Sequence, residues 1–216
     1  MSKIALLVSG GMDSCILAST LLKAGQIISP IYIRHGLIWE QAEEHHLKLY
    51  LSCINSANLK PLTIIEQPVN DIYEQHWSVS GNDVPDQNTD DSAVYLPGRN
   101  LLLLTKVGVW CALNHIDTIA LGTLQGNPFS DNTEEFYQCV AKSISIATET
   151  EINIIRPFAN KSKDEILVGA SNLPLHLTFS CIQPQDNKHC GKCNKCAERK
   201  KAYLDLDIKD LTSYAQ

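Results

Sequence analysis

An α/β fold built on a parallel, five-stranded, doubly wound sheet is what this chain predicts, on three observations. Strand-like and helix-like segments alternate through most of its 216 residues, the pattern that places helices on both faces of a parallel sheet. A glycine loop joins the first apolar strand to the first amphipathic helix. The alternation then gives way to a compact group of cysteines, which predicts a small metal-binding region appended to the sheet domain.

The first strand is Ile4-Ala5-Leu6-Leu7-Val8, and the helix after it sets Ile16, Leu17, Thr20, Leu21 and Ala24 at helical spacing before Gly25 stops it. Residues 27–33 read as the second strand and 40 to about 56 as a helix rich in Glu, His and Leu. A third strand spans 61–66, and 69–77 reads as a short helix. Residues 80–92 are polar, rich in acids and their amides, and aperiodic, so they read as a loop beside the active site. A strongly apolar helix follows at 100–113, then a fourth strand at 118–121, a helix at 133–147 and a fifth strand at 152–155. Ser162-Lys163-Asp164-Glu165 is a capping-box pattern that opens another helix. Residues 1–175 are therefore expected to form the α/β unit, with 176–216 a metal-binding loop and helix packed on it. Ligands of open α/β sheets bind at the carboxyl ends of the strands, near a switch in strand order. The 9–14 loop, Arg34–Leu37, the start of the 100–113 helix, Gly122–Asp131 and 156–163 should converge on one cleft there.

Composition narrows the function classes. With 44% hydrophobic and 19% charged residues the chain can bury a full core. No apolar run approaches a membrane span, and the short N-terminal strand does not read as a signal peptide. A formal net charge of −6 disfavours a role built on wrapping nucleic acid, which needs a concentrated basic surface. Eight cysteines without a secretory signal predict a reducing cytoplasm, in which thiols pack, bind metal or react.

Ser9-Gly10-Gly11-Met12-Asp13-Ser14 carries the clearest chemistry. Glycines let the backbone turn tightly and approach an anion, and the first amides of a helix point free N–H groups at it. It is not a Walker loop, because the Lys-Ser/Thr ending is missing. The order S-G-G-x-D-S resembles the PP-loop of the ATP pyrophosphatases, a resemblance that implies a grip on the β,γ-pyrophosphate of ATP during attack at the α-phosphorus. On that footing Val8, Ser9, Gly10, Gly11, Met12, Asp13, Ser14 and Gly122 are the expected nucleotide-binding residues, with Asp13 either binding Mg²⁺ or ordering the loop.

Cys181, Cys190, Cys193 and Cys196 follow C-x8-C-x2-C-x2-C. The short steps place thiolates on one side of a tight turn and the fourth cysteine completes a tetrahedral shell, so zinc is the expected ion. Gly191 supplies turn freedom, and Lys188, Lys192 and Lys195 offset the thiolate charge. An iron–sulfur cluster is the rival, although the Cys-Pro that usually ends ferredoxin spacing is missing. Cys15, Cys53, Cys111 and Cys139 fall within helical patterns and read as small packed hydrophobes, with a sulfur-transfer thiol as the alternative. The seven histidines form no metal spacing. His45 and His46 read as a solvated helix face, and His189 as a neighbour of the cysteine cluster rather than a ligand.

The PP-loop, Pro97-Gly98-Arg99-Asn100, Lys163-Asp164-Glu165-Ile166 and Ser180-Cys181 leading into the four-cysteine site together resemble the 7-cyano-7-deazaguanine synthase (QueC) family, over nearly the whole chain. The resemblance implies an adenine-nucleotide α-hydrolase-like (HUP) fold, a zinc site and often a homodimer. It also implies the activity: an ATP-dependent C–N ligase that converts 7-carboxy-7-deazaguanine and ammonia to the nitrile preQ0, on the route to queuosine. Asp13, Ser14, Arg99 and Lys163 are the expected catalytic residues, the last two neutralising phosphate or carboxylate charge. A solvated arginine at a helix start and a lysine in an exposed first turn are the bland readings of Arg99 and Lys163.

Two segments depart from the family. Arg34-His35-Gly36-Leu37 stands where members carry an Asp-Tyr-Gly-Gln-like stretch. Gly122 to Asp131 retains only a glycine opening, an aromatic and a later Asp of the usual Asp-x-Ser-Gly-Tyr-Pro-Asp-Cys-Arg. Both lie where an acceptor would be read, which makes Arg34, Asn100, Asn127 and Asp131 the candidate substrate residues, with Asn127-Pro128 as a plain turn the alternative. The readings that compete are a PP-loop ligase or amidase-type activator of another carboxylate, a tRNA-thiolation enzyme, for which the cluster leaves no spare C-terminal cysteine, and a zinc-ribbon regulator that binds nucleic acid, against which the acidic charge speaks. The expected partners are a small-molecule carboxylate and ammonia, with no membrane and no direct nucleic-acid contact.

Overall fold

The computed structural model describes residues 3–215. Five strands, β1 (Lys3–Leu7), β2 (Ile27–Arg34), β3 (Thr63–Glu66), β4 (Thr118–Ala120) and β5 (Asn153–Ile155), form one sheet in the order β3-β2-β1-β4-β5. Every pairing is parallel. The chain winds outward from β1 to β3, returns to β4 on the other flank and ends at β5. The order therefore switches between β1 and β4, where a crevice opens at the carboxyl edge.

The side-chain period of two decides which face each residue serves. Ile4, Leu6 and Val8 pack on one side with α1 (Met12–Lys23), α2 (Glu40–Cys53), α7 (Lys163–Val168) and α8 (Asn194–Asp205). Ala5 and Leu7 face the other side, under α5 (Arg99–Leu113) and α6 (Glu134–Thr148). Burial on both faces is what makes β1 the central strand.

Element ends shift by a few residues for local reasons. Proline has no N–H to give a ladder, and β3 begins at Thr63 rather than Pro61. The helix expected over 69–77 is two single turns, α3 (Asn70–Tyr73) and α4 (Trp77–Ser80). Glu74 at φ 42° breaks the run, and the His76 ring caps the second turn by accepting from the Ser78 amide. The capping box forms as the sequence requires: Glu165 N donates to Ser162 Oγ at 3.2 Å, and Ser162 N to Glu165 Oε2 at 2.7 Å. Cys15 and Cys111 are buried, but Cys53 and Cys139 are exposed, against the packing expected of all four. They sit on the outer faces of α2 and α6, where the helical period carries them away from the sheet.

A third cluster gathers Leu37, Trp39, Val69, Leu96 and Phe179 around the four cysteines. Arg199, only 1% exposed, locks this region to the rest. Its guanidinium donates to Thr178 Oγ1 (2.9 Å), Leu175 O (2.7 Å) and Thr212 Oγ1 (2.8 Å). Phe179 N in turn donates to Gly10 O at 2.7 Å, so the segment that leads into the cysteines also backs the glycine loop. His46 belongs to the same junction rather than to a solvated face. Its ring lies within hydrogen-bond reach of Leu177 O and Asn187 O and stacks on Phe179.

Candidate active-site cleft

The glycine loop is held open from within. Gly10 takes φ +78°, a conformation strained for any residue with a Cβ, and a Cβ there would also lie 3.0 Å from Glu43 O. Ser9 Oγ accepts from Gly11 N, and Ser14 Oγ donates to Gly11 O. No side chain caps α1 at Gly11, so its first amides are left for a ligand. Gly122, just beyond β4, is the other half of this construction. A Cβ on it would sit 3.0 Å from the backbone of Asp13 and Ser14, so only glycine lets the β4 loop press against the start of α1.

The loop opens into a cleft of about 500 Å³ and an adjoining chamber of about 220 Å³, both lined by Ser9, Gly11, Asp13, Glu43, Arg99, Gly122 and Thr123. Val8 and Ser14 wall the smaller chamber, and Met12, Asn127 and Lys163 the larger. Trp39 and Trp77, stacked at 5.6 Å between ring centroids, form part of the wall of the larger one with Phe129 and Phe179. The 9–14, 99 and 122–129 segments and Lys163 therefore meet as expected.

Arg34 does not join them. Its guanidinium is taken by Glu44 and Glu66, each at 2.7 Å, and it lines neither cavity. Asn100 and Asp131 likewise lie behind the wall and serve each other: Asn100 N donates to Asp131 Oδ2, and its side-chain amide to Asp131 O. That pair fixes the start of α5, and with it Arg99, against the 122–131 loop. Asn127 does reach the cleft, with its Oδ1 accepting from Phe129 N in a local turn.

Charge inside the cleft is tightly arranged. Lys163 is not an exposed first-turn lysine: its Nζ lies 2.6 Å from Asp13 Oδ1 and 3.6 Å from Glu198 Oε1. Burial opposes its charge, yet Asp13 and Glu198 hold the ammonium above its ordinary pKa. Lys195 is paired with Glu198 at 2.7 Å and lies 4.0 Å from Asp91, which places it in the cleft rather than against the thiolates. Arg99 presents a buried Nε with no partner. Glu43 accepts from Tyr32 Oη at 2.7 Å, and burial pushes its carboxyl up to about 7 against the pull of Arg99 and that hydrogen bond. His35, buried beside Arg99, is pushed down to about 4 and is neutral at pH 7. Sequence reasoning misses Glu43, Glu198 and the tryptophans, and assigns Lys195 to the thiolates rather than to the cleft. The one available signal was Lys195 and Glu198 at helical spacing directly after Cys193.

The four cysteine sulfurs lie within 4.8 Å of one another, with Cys181–Cys193 at 3.8 Å and Cys190–Cys196 at 4.0 Å. A tetrahedral ion with metal–sulfur bonds of about 2.3 Å requires sulfurs about 3.8 Å apart. Backbone N–H groups of Gln183 and Cys190 point at Cys181 Sγ, and those of Lys192 and Cys193 at Cys190 Sγ, a donor set suited to thiolates. The cluster can hold a metal. His189 stands outside it, its Nε2 accepting from Ser180 N. The 80–92 loop lies across the cysteine loop: Gln87 N donates to Lys192 O and Asn194 Nδ2 to Thr89 O. No helix among the described residues is long and apolar enough to cross a membrane.

Known proteins resemble this chain in sequence and in fold. The family model described as queuosine biosynthesis protein QueC matches residues 3–207. The chain is 28% identical to a 7-cyano-7-deazaguanine synthase of Nautilia profundicola, covering all of both chains. It is 27% identical to one of Acetivibrio thermocellus, over 100% of this chain and 99% of that one. Among solved structures, a 4-thiouridine synthetase in complex with RNA and bound ATP superposes with a TM-score of 0.53 at 14% identity, covering 95% of this chain and 50% of that one. A predicted tRNA methyltransferase subunit from Methanocaldococcus jannaschii gives 0.51 at 18% identity, over 79% and 75%. These two likenesses establish the shared fold.

Proposed function

We propose that this chain, which belongs to the queuosine biosynthesis protein QueC family, is an ATP-dependent ligase that converts 7-carboxy-7-deazaguanine and ammonia to 7-cyano-7-deazaguanine. The observation that carries this is the glycine loop with uncapped α1 amides facing Lys163 and Arg99 across one cleft. A carboxylate oxygen is a poor leaving group. Attack of that oxygen on the α-phosphorus of ATP releases pyrophosphate and gives an acyl adenylate. Ammonia adds to the acyl carbon and expels AMP, leaving a primary amide. A second ATP activates the amide oxygen in the same way, and loss of AMP with the two nitrogen-bound protons leaves the nitrile.

The residues divide that work. Backbone amides of Met12 and Asp13 at the start of α1, with the Ser9 and Ser14 hydroxyls, suit the pyrophosphate. Lys163 and Arg99 offset charge at the α-phosphate and the incoming carboxylate. Asp13 holds Lys163 and offers the one loop carboxylate suited to Mg²⁺. Trp39, Trp77 and Phe179 give a flat heterocycle an apolar wall and exclude water from the adenylate. Cys181, Cys190, Cys193 and Cys196 would hold zinc as a closed, four-sulfur site whose task is to fix the fold. The enzyme is expected in the cytoplasm, as a homodimer.

The test is turnover. Purified protein with ATP, magnesium and ammonium is expected to convert 7-carboxy-7-deazaguanine to the nitrile with release of AMP and pyrophosphate. Consumption of ATP with a different acid, and none with this one, would replace the substrate while keeping the chemistry.

A further inference from the structure

Four cations line the cleft: the chemistry above uses Arg99 and Lys163, Arg199 is committed to Thr178, Leu175 and Thr212, and Lys195 is left without a task. It lies between two of the clustered cysteines, in the first turn of α8. Cys193 and Cys196 turn one side of that turn toward the metal cluster, while Lys195 and Glu198, three residues apart, face the cleft. A filled metal shell would fix the rotation of this helix, and with it the direction of the Lys195 side chain. Both cleft lysines end on one carboxylate: Lys195 Nζ lies 2.7 Å from Glu198 Oε2, and Lys163 Nζ lies 3.6 Å from Glu198 Oε1. Glu198 thereby lets two ammonium groups stand side by side, opposite the uncapped amides of α1. Lys195 lines the cleft and keeps 29% of its side chain exposed, so its ammonium can reach a ligand without breaking into the core.

On the footing of the ATP chemistry above, we propose that Lys195 binds an oxyanion of the reactants, closing with Lys163 a two-ammonium clamp across from the glycine loop. A lysine at such a place acts as a mobile point charge and suits phosphate oxygens or a carboxylate. The oxyanion has two sources here, the pyrophosphate portion of ATP and the carboxylate of the acid.

The experiment uses the full-length, metal-loaded protein and measures equilibrium binding of inorganic pyrophosphate, ATP and 7-carboxy-7-deazaguanine separately. Lys195→Gln is compared with Lys201→Gln, which removes the same charge from an exposed position on the same helix. Lys195→Gln is expected to weaken pyrophosphate and ATP by about tenfold or more and to flatten the salt dependence of binding. Lys201→Gln should change either by less than about twofold. Weakening confined to the acid would keep the clamp and assign its ligand to the carboxylate. Wild-type affinity of Lys195→Gln for all three ligands, or an equal loss in both variants, overturns the inference. Metal content and melting temperature, measured alongside, separate loss of a contact from loss of the helix. A wild-type protein that binds neither pyrophosphate nor ATP would instead sink the ATP chemistry itself.

Discussion

Glu43 and Glu44 are neighbours on α2 with opposite consequences for stability. Glu43 faces the cleft, and burial raises its carboxyl from 4.5 to about 7. Between those two values the folded chain holds a proton that the unfolded chain releases, so stability falls as pH rises through that window. The full shift corresponds to about 3 kcal/mol. Glu44 faces Arg34 and Lys48, whose hydrogen bonds hold it at about 2. There the unfolded chain takes up the proton first, so its contribution is present above about pH 4.5 and is lost as pH falls toward 2. Arg34 is solvent-exposed, so water screens the pair and the contribution is much smaller than the shift alone implies. Glu43→Gln should therefore raise the melting temperature at pH 8, with the gain vanishing near pH 4.5. Glu44→Gln should lower it at pH 7, with the loss shrinking toward pH 3. Thermal melts across pH 3–8 decide both, and a Glu43→Gln gain independent of pH would contradict the assignment. A carboxylate that costs stability at neutral pH is what a residue kept for a ligand looks like.

At the scale of elements, β1, α1 and the β4 loop form one anion cradle through the space that Gly122 leaves empty. A methyl group there meets the Asp13 and Ser14 backbone at 3.0 Å, with no flexible side chain to give way. Gly122→Ala should push the β4 loop off α1, at an overpacking cost of about 1–3 kcal/mol. It should weaken ATP binding by at least about tenfold, since the loop amides move with it. Calorimetry of ATP binding beside a thermal melt tests this, and wild-type affinity would show that the close approach is not needed. The elements themselves were largely legible in the chain. Apolar period and glycine punctuation located all five strands and helices α1, α2, α5 and α6, because those signals are local, but gave no bounds for α8. The capping box was readable for the same reason. The single helix drawn over 69–77 was not, since its break rests on one backbone angle at Glu74. The site was legible only where a motif is contiguous. Arg34 looked like a substrate residue because nothing local shows Glu66 on the neighbouring strand. Lys195 looked like a thiolate counter-charge because its partners Glu198 and Asp91 come from a helix face and a distant loop.

For the molecule as a whole, the cysteine region and the cleft behave as one structure. Arg199 ties α8 to the 175–180 segment, Phe179 N bonds Gly10 O, and Asn194 holds the 80–92 loop. The cysteines are buried within this assembly, each of the four no more than 7% exposed. Stripping the metal would leave four buried thiol groups without their shared partner, and the local free energy of that region should drop most. The sheet draws on two other clusters, one under α5 and α6 and one under α1, so it should stay folded. Chelation, or Cys190→Ser, should therefore raise amide exchange over residues 177–215 and the 80–92 loop while β1 and β2 remain protected. ATP affinity should fall in parallel, because α8 and Phe179 leave the cleft wall when they loosen. Exchange mass spectrometry on the metal-loaded and stripped protein measures both regions at once. Uniform deprotection would mean that the metal region and the sheet fold as a single cooperative unit. Unchanged exchange with full loss of metal would mean that packing around Arg199 holds the region without it.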